Sequence, residues 1–443
     1  MIKIIKNAEI LYGEELKVIK NGVIIINHEG IIEWAGDKSK LKDDNRYWTK
    51  TDSKDSFTID AEGYIVIPGF INSHTHIGDS IGKDIASNSD LYTRVNPNNS
   101  IKKTILEKTD RGQLEQHMRN SALSMLNKGI TTFVDFREGG IEGIKSLNSA
   151  LKNIPIKRIV LGRIENEHMA TDHAENKKGK GRDRQKEKRI REIGEEILKW
   201  CDGFGISGAN ENDDSMLTYY RKIRKRSKKI YKKDQCSQMK DFHHLIAIHV
   251  AEASQTVKES LKNTKKTEIE RSLLLLKPDI FIHLTNPTEN DLKLLVNHKK
   301  QKIVICPRAN GILGVGFAPL KKMLELDFTI GIGTDNVMLN SPDILREMDF
   351  LLKSQRALEK DTTFIDAKKI LKMANVNGGK IFNLNRGRID KGFEADLVFI
   401  DKYDIDMYPA NDLYMSIIHR CSERTVKGVM VNGNFVHEKS KLN

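Results

Sequence analysis

Residues 65–76 read Ile65-Val-Ile-Pro-Gly-Phe-Ile-Asn-Ser-His74-Thr-His76, an apolar run that ends on two histidines. Alternate side chains of a strand share a face, so His74 and His76 can both turn toward one cation beyond the strand's end. Chance alone supplies about 0.4 His-x-His triplets in a chain with this many histidines, so position has to carry the reading.

Seven further short apolar runs follow, each leading into a polar or glycine-containing turn and then a stretch with helical spacing. They are Thr131–Phe136, Lys157–Leu161, Gly203–Ser207, Leu245–Val250, Ile280–Leu284, Lys302–Cys306 and Phe328–Ile332. With Tyr64–Ile71 as the first, eight β-α alternations predict a (β/α)8 TIM-type barrel, an α/β fold whose reactive groups gather at the C-terminal ends of its strands. The ends of the chain are instead β-rich with little helical period. They predict a small β-sandwich domain built from both termini, 1–62 with 387–443, around a barrel spanning 63–386.

In such a barrel, the strand ends hold His249 in Leu245-Ile-Ala-Ile-His249-Val-Ala-Glu252, His283 after Asp279-Ile-Phe-Ile, and Asp335 in Gly331-Ile-Gly-Thr-Asp335. Read singly, His249 could be a core histidine, Glu252 a helix-opening acid and Asp335 a helix N-cap. Read jointly, strands one, five, six and eight each deliver His or Asp to the edge where barrel active sites form, and folding requires none of them there. Glu252, three residues past His249, is placed to move a proton between water and a leaving group. Arg137, Glu138, Glu165, Asn210, Arg308 and Asn310 also fall at strand ends and are candidates for substrate contact.

The chain has 443 residues, 38% hydrophobic and 30% charged, enough apolar material for a large core. No stretch suits a membrane span or a secretory signal, so a cytoplasmic protein without membrane contact is expected. Cys201, Cys236, Cys306 and Cys421 form no C-x-x-C pair, which fits reduced thiols. The net charge of +13 is confined to two inserts, near 172–193 and 219–240. Lys177–Arg191 and Arg221–Lys233 together exceed the whole-chain charge, leaving a slightly acidic body. The inserts have little aromatic interleaving, so solvated surface is expected there and specific nucleic-acid binding is not.

Taken together, Pro68-Gly-Phe-Ile-Asn-Ser-His-Thr-His76, His249-Val-Ala-Glu252, Cys306-Pro-Arg-Ala-Asn310, Gly333-Thr-Asp335 and Gly387-Arg-Ile-Asp-Lys-Gly-Phe-Glu-Ala-Asp-Leu-Val398 resemble the amidohydrolase superfamily. The likeness is to its aminohydrolase branch, which includes adenosylhomocysteine and methylthioadenosine deaminases, guanine deaminase and triazine hydrolases. The resemblance implies a metal-dependent hydrolase with metal ligands His74, His76, His249 and Asp335, a proton shuttle at Glu252 and a water-orienting His283. Binuclear members carry a carboxylated lysine at the end of strand four. Here that strand runs Gly203-Phe-Gly-Ile-Ser-Gly-Ala-Asn210 without one, so a single divalent ion is expected, zinc first and iron(II) as the alternative. The implied reaction is hydrolytic deamination of a purine, pyrimidine or nucleoside-like heterocycle, with cyclic-amide or other C–N hydrolysis as the alternative. The family likeness also implies a homo-oligomer, dimer or tetramer. Asn336 after Asp335 and Gly78-Asp79-Ser80 depart from the usual deaminase sequence, which leaves the substrate open.

Overall fold

The computed structural model describes residues 1–41, 56–96, 99–165, 180–227, 243–299 and 301–438. Eight parallel strands form the barrel: β1 (Phe70–His76), β2 (Ile130–Arg137), β3 (Lys157–Gly162), β4 (Gly203–Ile206), β5 (Leu245–Val250), β6 (Ile280–His283), β7 (Lys302–Ile305) and β8 (Thr329–Ile332). Each pairs with the next in chain order. Helices cover the outside, so the strands are buried on both faces, which is why they read as continuous apolar runs and not as alternating ones.

The alternation is present nonetheless, split between two cores. Val134, Phe136, Leu245, Ala247, Ile280 and Ile282 belong to the cluster that fills the barrel. Their neighbours Phe133, Ile246, Ile248 and Phe281 belong to the larger cluster beneath the helices. Continuing the inward series 245, 247 places His249 on the barrel side at its mouth.

The barrel closes where the chain leaves β8. Gly333 passes so close to β1 that a Cβ there would sit 2.6 Å from the His74 Cβ and 2.8 Å from its backbone nitrogen. The Thr334 amide then donates to the His74 carbonyl at 3.0 Å, and Asp335 and Asn336 pair with Thr75 and His76 in parallel register. Closing the sheet is therefore the same event that sets Asp335 beside the two histidines of β1.

The first apolar run divides differently from the expected single strand Tyr64–Ile71. Tyr64–Pro68 runs antiparallel to Leu397–Asp401 in the terminal sheet, and only after Gly69 does the chain enter the barrel. A side chain at Gly69 would collide with Thr131, 2.3 Å from its Oγ1, so the crossing between the two layers needs glycine. The terminal sheet orders Asn434–Glu438, Val426–Val431, Leu397–Asp401, Tyr64–Pro68, Ile2–Tyr12, Lys17–Ile26 and Ile32–Asp37, with Ser56–Asp60 also pairing Ile2–Tyr12. Both termini thus build one mixed sheet, which reaches to Pro68 instead of stopping at residue 62.

Helices occupy part of both basic inserts. Helices span Lys180–Leu198 and Asp214–Ser227, and Lys222 pairs with Glu187 across them at 3.0 Å. The first insert up to residue 179, the second from residue 228 on, and Cys236 lie outside the described residues. Cys201, Cys306 and Cys421 are buried, and none forms a disulfide among the described residues. Among the described residues, no helix is long and apolar enough to cross a membrane.

Candidate active site

At the C-terminal mouth, His74, His76, His249 and Asp335 are all buried and bring one donor atom each within 4.8 Å of the others. His74 Nε2 lies 3.2 Å and His76 Nε2 3.6 Å from Asp335 Oδ1, and His249 Nε2 lies 3.1 Å from His74 Nε2. Two imidazole nitrogens facing each other at that distance beside a carboxylate suit a shared cation better than a protein-only packing.

The opposite ring edges fix the tautomers. His249 Nδ1 donates to the Ile206 carbonyl at 2.9 Å, and His76 Nδ1 donates to Glu138 Oε1 at 2.8 Å. Each Nε2 therefore turns a lone pair inward, the arrangement a metal requires of neutral histidine. Burial lowers the pKa of all three imidazoles and keeps them neutral. Asp335 is the opposite case. Burial would raise its pKa, but the contact with His74 and the adjoining imidazoles prevails and holds it far below the usual carboxylate range. The Phe136 ring packs edge-on against His74, centroids 4.4 Å apart, and limits rotation of the imidazole.

Glu252 and His283 complete a second group with Asp335. His283 Nε2 lies 3.7 Å from Glu252 Oε2. On its other edge, His283 Nδ1 donates at 3.0 Å to Asn310 Oδ1, whose amide is oriented by its own Nδ2 donating to Thr285 Oγ1 at 2.9 Å. His283 Nε2 is thereby left as an acceptor facing the cavity. Burial and the nearby carboxylates Asp335 and Glu211 push the Glu252 pKa well above its ordinary value. Both His283 and Asp335 hold positive φ, 73° and 60°, a conformation that costs non-glycine residues of order 1 kcal/mol each and that clusters at functional sites.

A network absent from the sequence reading supports the centre. Lys102, on the helix Ile101–Lys108, reaches Glu138 Oε1 at 2.6 Å and Asp79 Oδ2 at 3.3 Å, with all three side chains buried. Burial alone would lower the Lys102 pKa; Glu138 and Asp79 outweigh it and raise it. Asp79 in turn accepts from Asn336 Nδ2 at 2.7 Å and from the Met338 amide at 3.0 Å. The departures Gly78-Asp79-Ser80 and Asn336 are therefore partners. Asp79 and Asn336 bind one another, and Gly78 leaves space for the Arg137 guanidinium, 1.8 Å from where a Cβ would stand. Arg137 Nη2 pairs with Glu138 Oε2 at 2.9 Å.

A cavity of about 390 Å³ opens from His76, His249, Glu252, His283 and Asp335 outward to Tyr92, Arg163, Glu165 and Glu211. Of the substrate candidates, Arg137, Glu138 and Glu165 line it, with Glu165 accepting from the Gly139 amide at 2.7 Å. Asn310 stands behind His283. Asn210 and Arg308 do not line it: Asn210 Nδ2 donates to the carbonyl of the lining residue Thr256 at 2.8 Å, and Arg308 binds Asn340, Ser341 and Glu347. Sequence reasoning missed Lys102, Asp79, Arg163 and Glu211. Glu211 follows the segment 203–210 by one residue, Arg163 directly follows the strand end that Glu165 also follows, and Asp79 stood out only as a departure from the usual sequence, whereas Lys102 carries no local signal.

A closed parallel barrel whose mouth gathers three neutral imidazoles and an ionised aspartate is a barrel built around a cation-binding centre. The chain belongs to the amidohydrolase family, whose model matches residues 65–436. A protein of Methanothermobacter thermautotrophicus that carries a provisional aminohydrolase name is 33% identical over 433 residues, covering 98% of each chain. The 5-methylthioadenosine/S-adenosylhomocysteine deaminase of Thermococcus sibiricus is 27% identical, covering 98% of this chain and 93% of its own. Among solved structures, the zinc-bound adenosine deaminase of Xanthomonas campestris superimposes with a TM-score of 0.78 at 19% identity, covering 99% of this chain and 93% of that one. Guanine deaminase of E. coli gives 0.74 at 18% identity, covering 99% and 100%.

Proposed function

We propose that the protein is a metal-dependent hydrolytic deaminase of a purine, pyrimidine or nucleoside-like ring. The observation that carries this is the convergence of the His74, His76 and His249 Nε2 atoms on Asp335 Oδ1, with Glu252 and His283 facing the same point. His74, His76, His249 and Asp335 would hold one divalent ion. Three nitrogens and one oxygen suit zinc, the ion bound by the Xanthomonas adenosine deaminase, and iron(II) accepts the same donors. When bound, such an ion polarises water and brings its ionisation toward neutral pH.

The chain's own groups then divide the work. His283 Nε2, kept free of a proton by the Nδ1 bond to Asn310, accepts a hydrogen bond from water and aims it at the ring carbon bearing the amino group. The Asp335 carboxylate, held ionised, assists removal of the water proton. Glu252, its pKa raised by burial, delivers that proton to a ring nitrogen, and the second water proton passes to the amino group, which leaves as ammonia while a carbonyl forms at the ring carbon. Oxygen is added to the ring carbon as the C–N bond breaks. A cytoplasmic setting accords with the absence of a disulfide at Cys201, Cys306 and Cys421 among the described residues.

An ammonia-release screen over purines, pyrimidines and their nucleosides, run on metal-loaded and on chelated protein, tests the reading. Ammonia from a ring substrate that is lost on chelation supports it. Turnover of cyclic amides without ammonia, or activity indifferent to chelation, contradicts it.

A further inference from the structure

The chain bends sharply where it leaves β5 to reach Glu252. Ala251 follows the strand's last residue, is buried and holds φ of 50°, a left-handed conformation that strains an alanine. Its N–H donates to a side chain distant in sequence, Glu268 Oε2, at 3.1 Å. The Ala251 carbonyl accepts from the Asn286 backbone amide at 2.8 Å, and the Glu252 carbonyl accepts from Asn286 Nδ2 at 2.9 Å. Asn286 Nδ2 also donates to the Val315 carbonyl at 3.0 Å, which fixes how that amide is turned. Glu268 and Asn286 thus grip the peptide groups on both sides of the bend.

Glu268 opens the short helix Glu268–Arg271, whose N-terminus is closed by reciprocal bonds between Thr267 and Glu270. Its side chain is buried, and Oε2 accepts a second hydrogen bond, from Thr256 Oγ1 at 2.8 Å. Burial raises its pKa to about 7 against the two hydrogen bonds that lower it, so packing alone does not account for a carboxyl at this place. Three residues on, Arg271 donates to the Ala209 carbonyl at 2.9 Å and the Asn212 carbonyl at 3.1 Å, and pairs with Asp214 at 2.8 Å. The helix is therefore anchored on the loop after β4 while its first residue holds the loop after β5. Asn286, three residues past His283, ties the same bend to the loop after β6. Neither Glu268 nor Asn286 lines the cavity.

We infer that Glu268 and Asn286 are positioning residues for Glu252. By holding the strained bend at Ala251 they keep the Glu252 carboxyl facing His283, 3.7 Å from its Nε2, where its proton can be delivered. This deepens the deaminase reading, in which Glu252 carries the proton, and rests on it. Both residues act on the chemistry only through the backbone on which Glu252 stands.

The test is a double-mutant cycle on metal-loaded protein, run with the ring compound that releases ammonia and with the metal content of each variant measured. Glu268→Ala should keep its ion and lower kcat about tenfold or more with KM little changed. Glu268→Gln, which retains an acceptor oxygen, should keep most of the activity. In a Glu252→Gln background, Glu268→Ala should cost nothing further, because the group it positions is already gone. Unchanged kcat in Glu268→Ala, loss of its ion, a Glu268→Gln no better than Glu268→Ala, or an equal loss in the Glu252→Gln background overturns the inference. Should Glu268→Ala fail to fold, Asn286→Ala goes through the same cycle with the same outcomes. The crystal structure of whichever variant folds gives a reading without substrate: Glu252 should turn away from His283, and a carboxyl that stays in place overturns the inference. If no ring compound releases ammonia, the deaminase reading fails and that crystal structure alone decides the role of Glu268 and Asn286.

Discussion

His76 Nδ1 donates to Glu138 Oε1 over 2.8 Å, while the same carboxylate oxygen accepts from Lys102 Nζ at 2.6 Å. One imidazole of the cation centre is therefore oriented by a carboxylate that a buried lysine from outside the barrel sheet holds ionised. Partners of this kind typically contribute about 10- to 100-fold in metal affinity, so Glu138→Gln should weaken divalent-ion binding by that factor. Competition against a chelator of known affinity measures it. Unchanged affinity would reduce Glu138 to a packing role.

Glu252 is placed to carry a proton and stands outside the set of four donors. Glu252→Gln should leave metal content intact and lower kcat by about a hundredfold or more. Metal analysis alongside steady-state kinetics separates this from a ligand loss, which would lower both.

How much of this was legible in the sequence follows from what periodicity can report. The inward series Leu245, Ala247, His249 and the run into Asp335 are local patterns, and each places its residue at the mouth from sequence alone. The break at Gly69 was not legible, because Tyr64–Pro68 and Phe70–His76 are equally apolar and only their hydrogen-bond partners differ. Lys102 and Asp79 meet Glu138 from a helix and a turn distant in sequence, a meeting that no spacing rule encodes. Arg308 shows the converse. It follows a strand end, but the helix Pro307–Ile312 turns it toward Asn340 and Ser341, away from the cavity.

Glu347 provides a pH-dependent test of the fold. Fully buried, with Arg308 at 3.5 Å as its cationic neighbour, it has its pKa raised from 4.5 to about 8 by burial, which outweighs the arginine. A folded-state value above the unfolded one means that the acid's contribution to stability is whole below about pH 4.5 and is lost as pH rises through about 8. Glu347→Gln should therefore gain stability relative to wild type between about pH 5 and about pH 9, as read by denaturant unfolding at the two values. A constant difference would contradict the assigned shift.

The closing seam of the barrel leaves no room for a side chain at Gly333. Gly333→Ala would force a methyl against the His74 backbone, an overpacking that should cost about 1–3 kcal/mol and loosen the ion as well. Thermal unfolding with and without added metal reads both effects. Wild-type stability in both states would show that the seam can widen freely.

Residues from β1, β5 and the end of β8 are proposed to hold one cation between them. Elemental analysis of the purified protein, side by side with His249→Ala, tests this most directly. The account predicts close to one divalent ion per wild-type chain and a marked loss in the variant. A metal-free wild type that cannot be loaded, or a variant that retains the full complement, would contradict it.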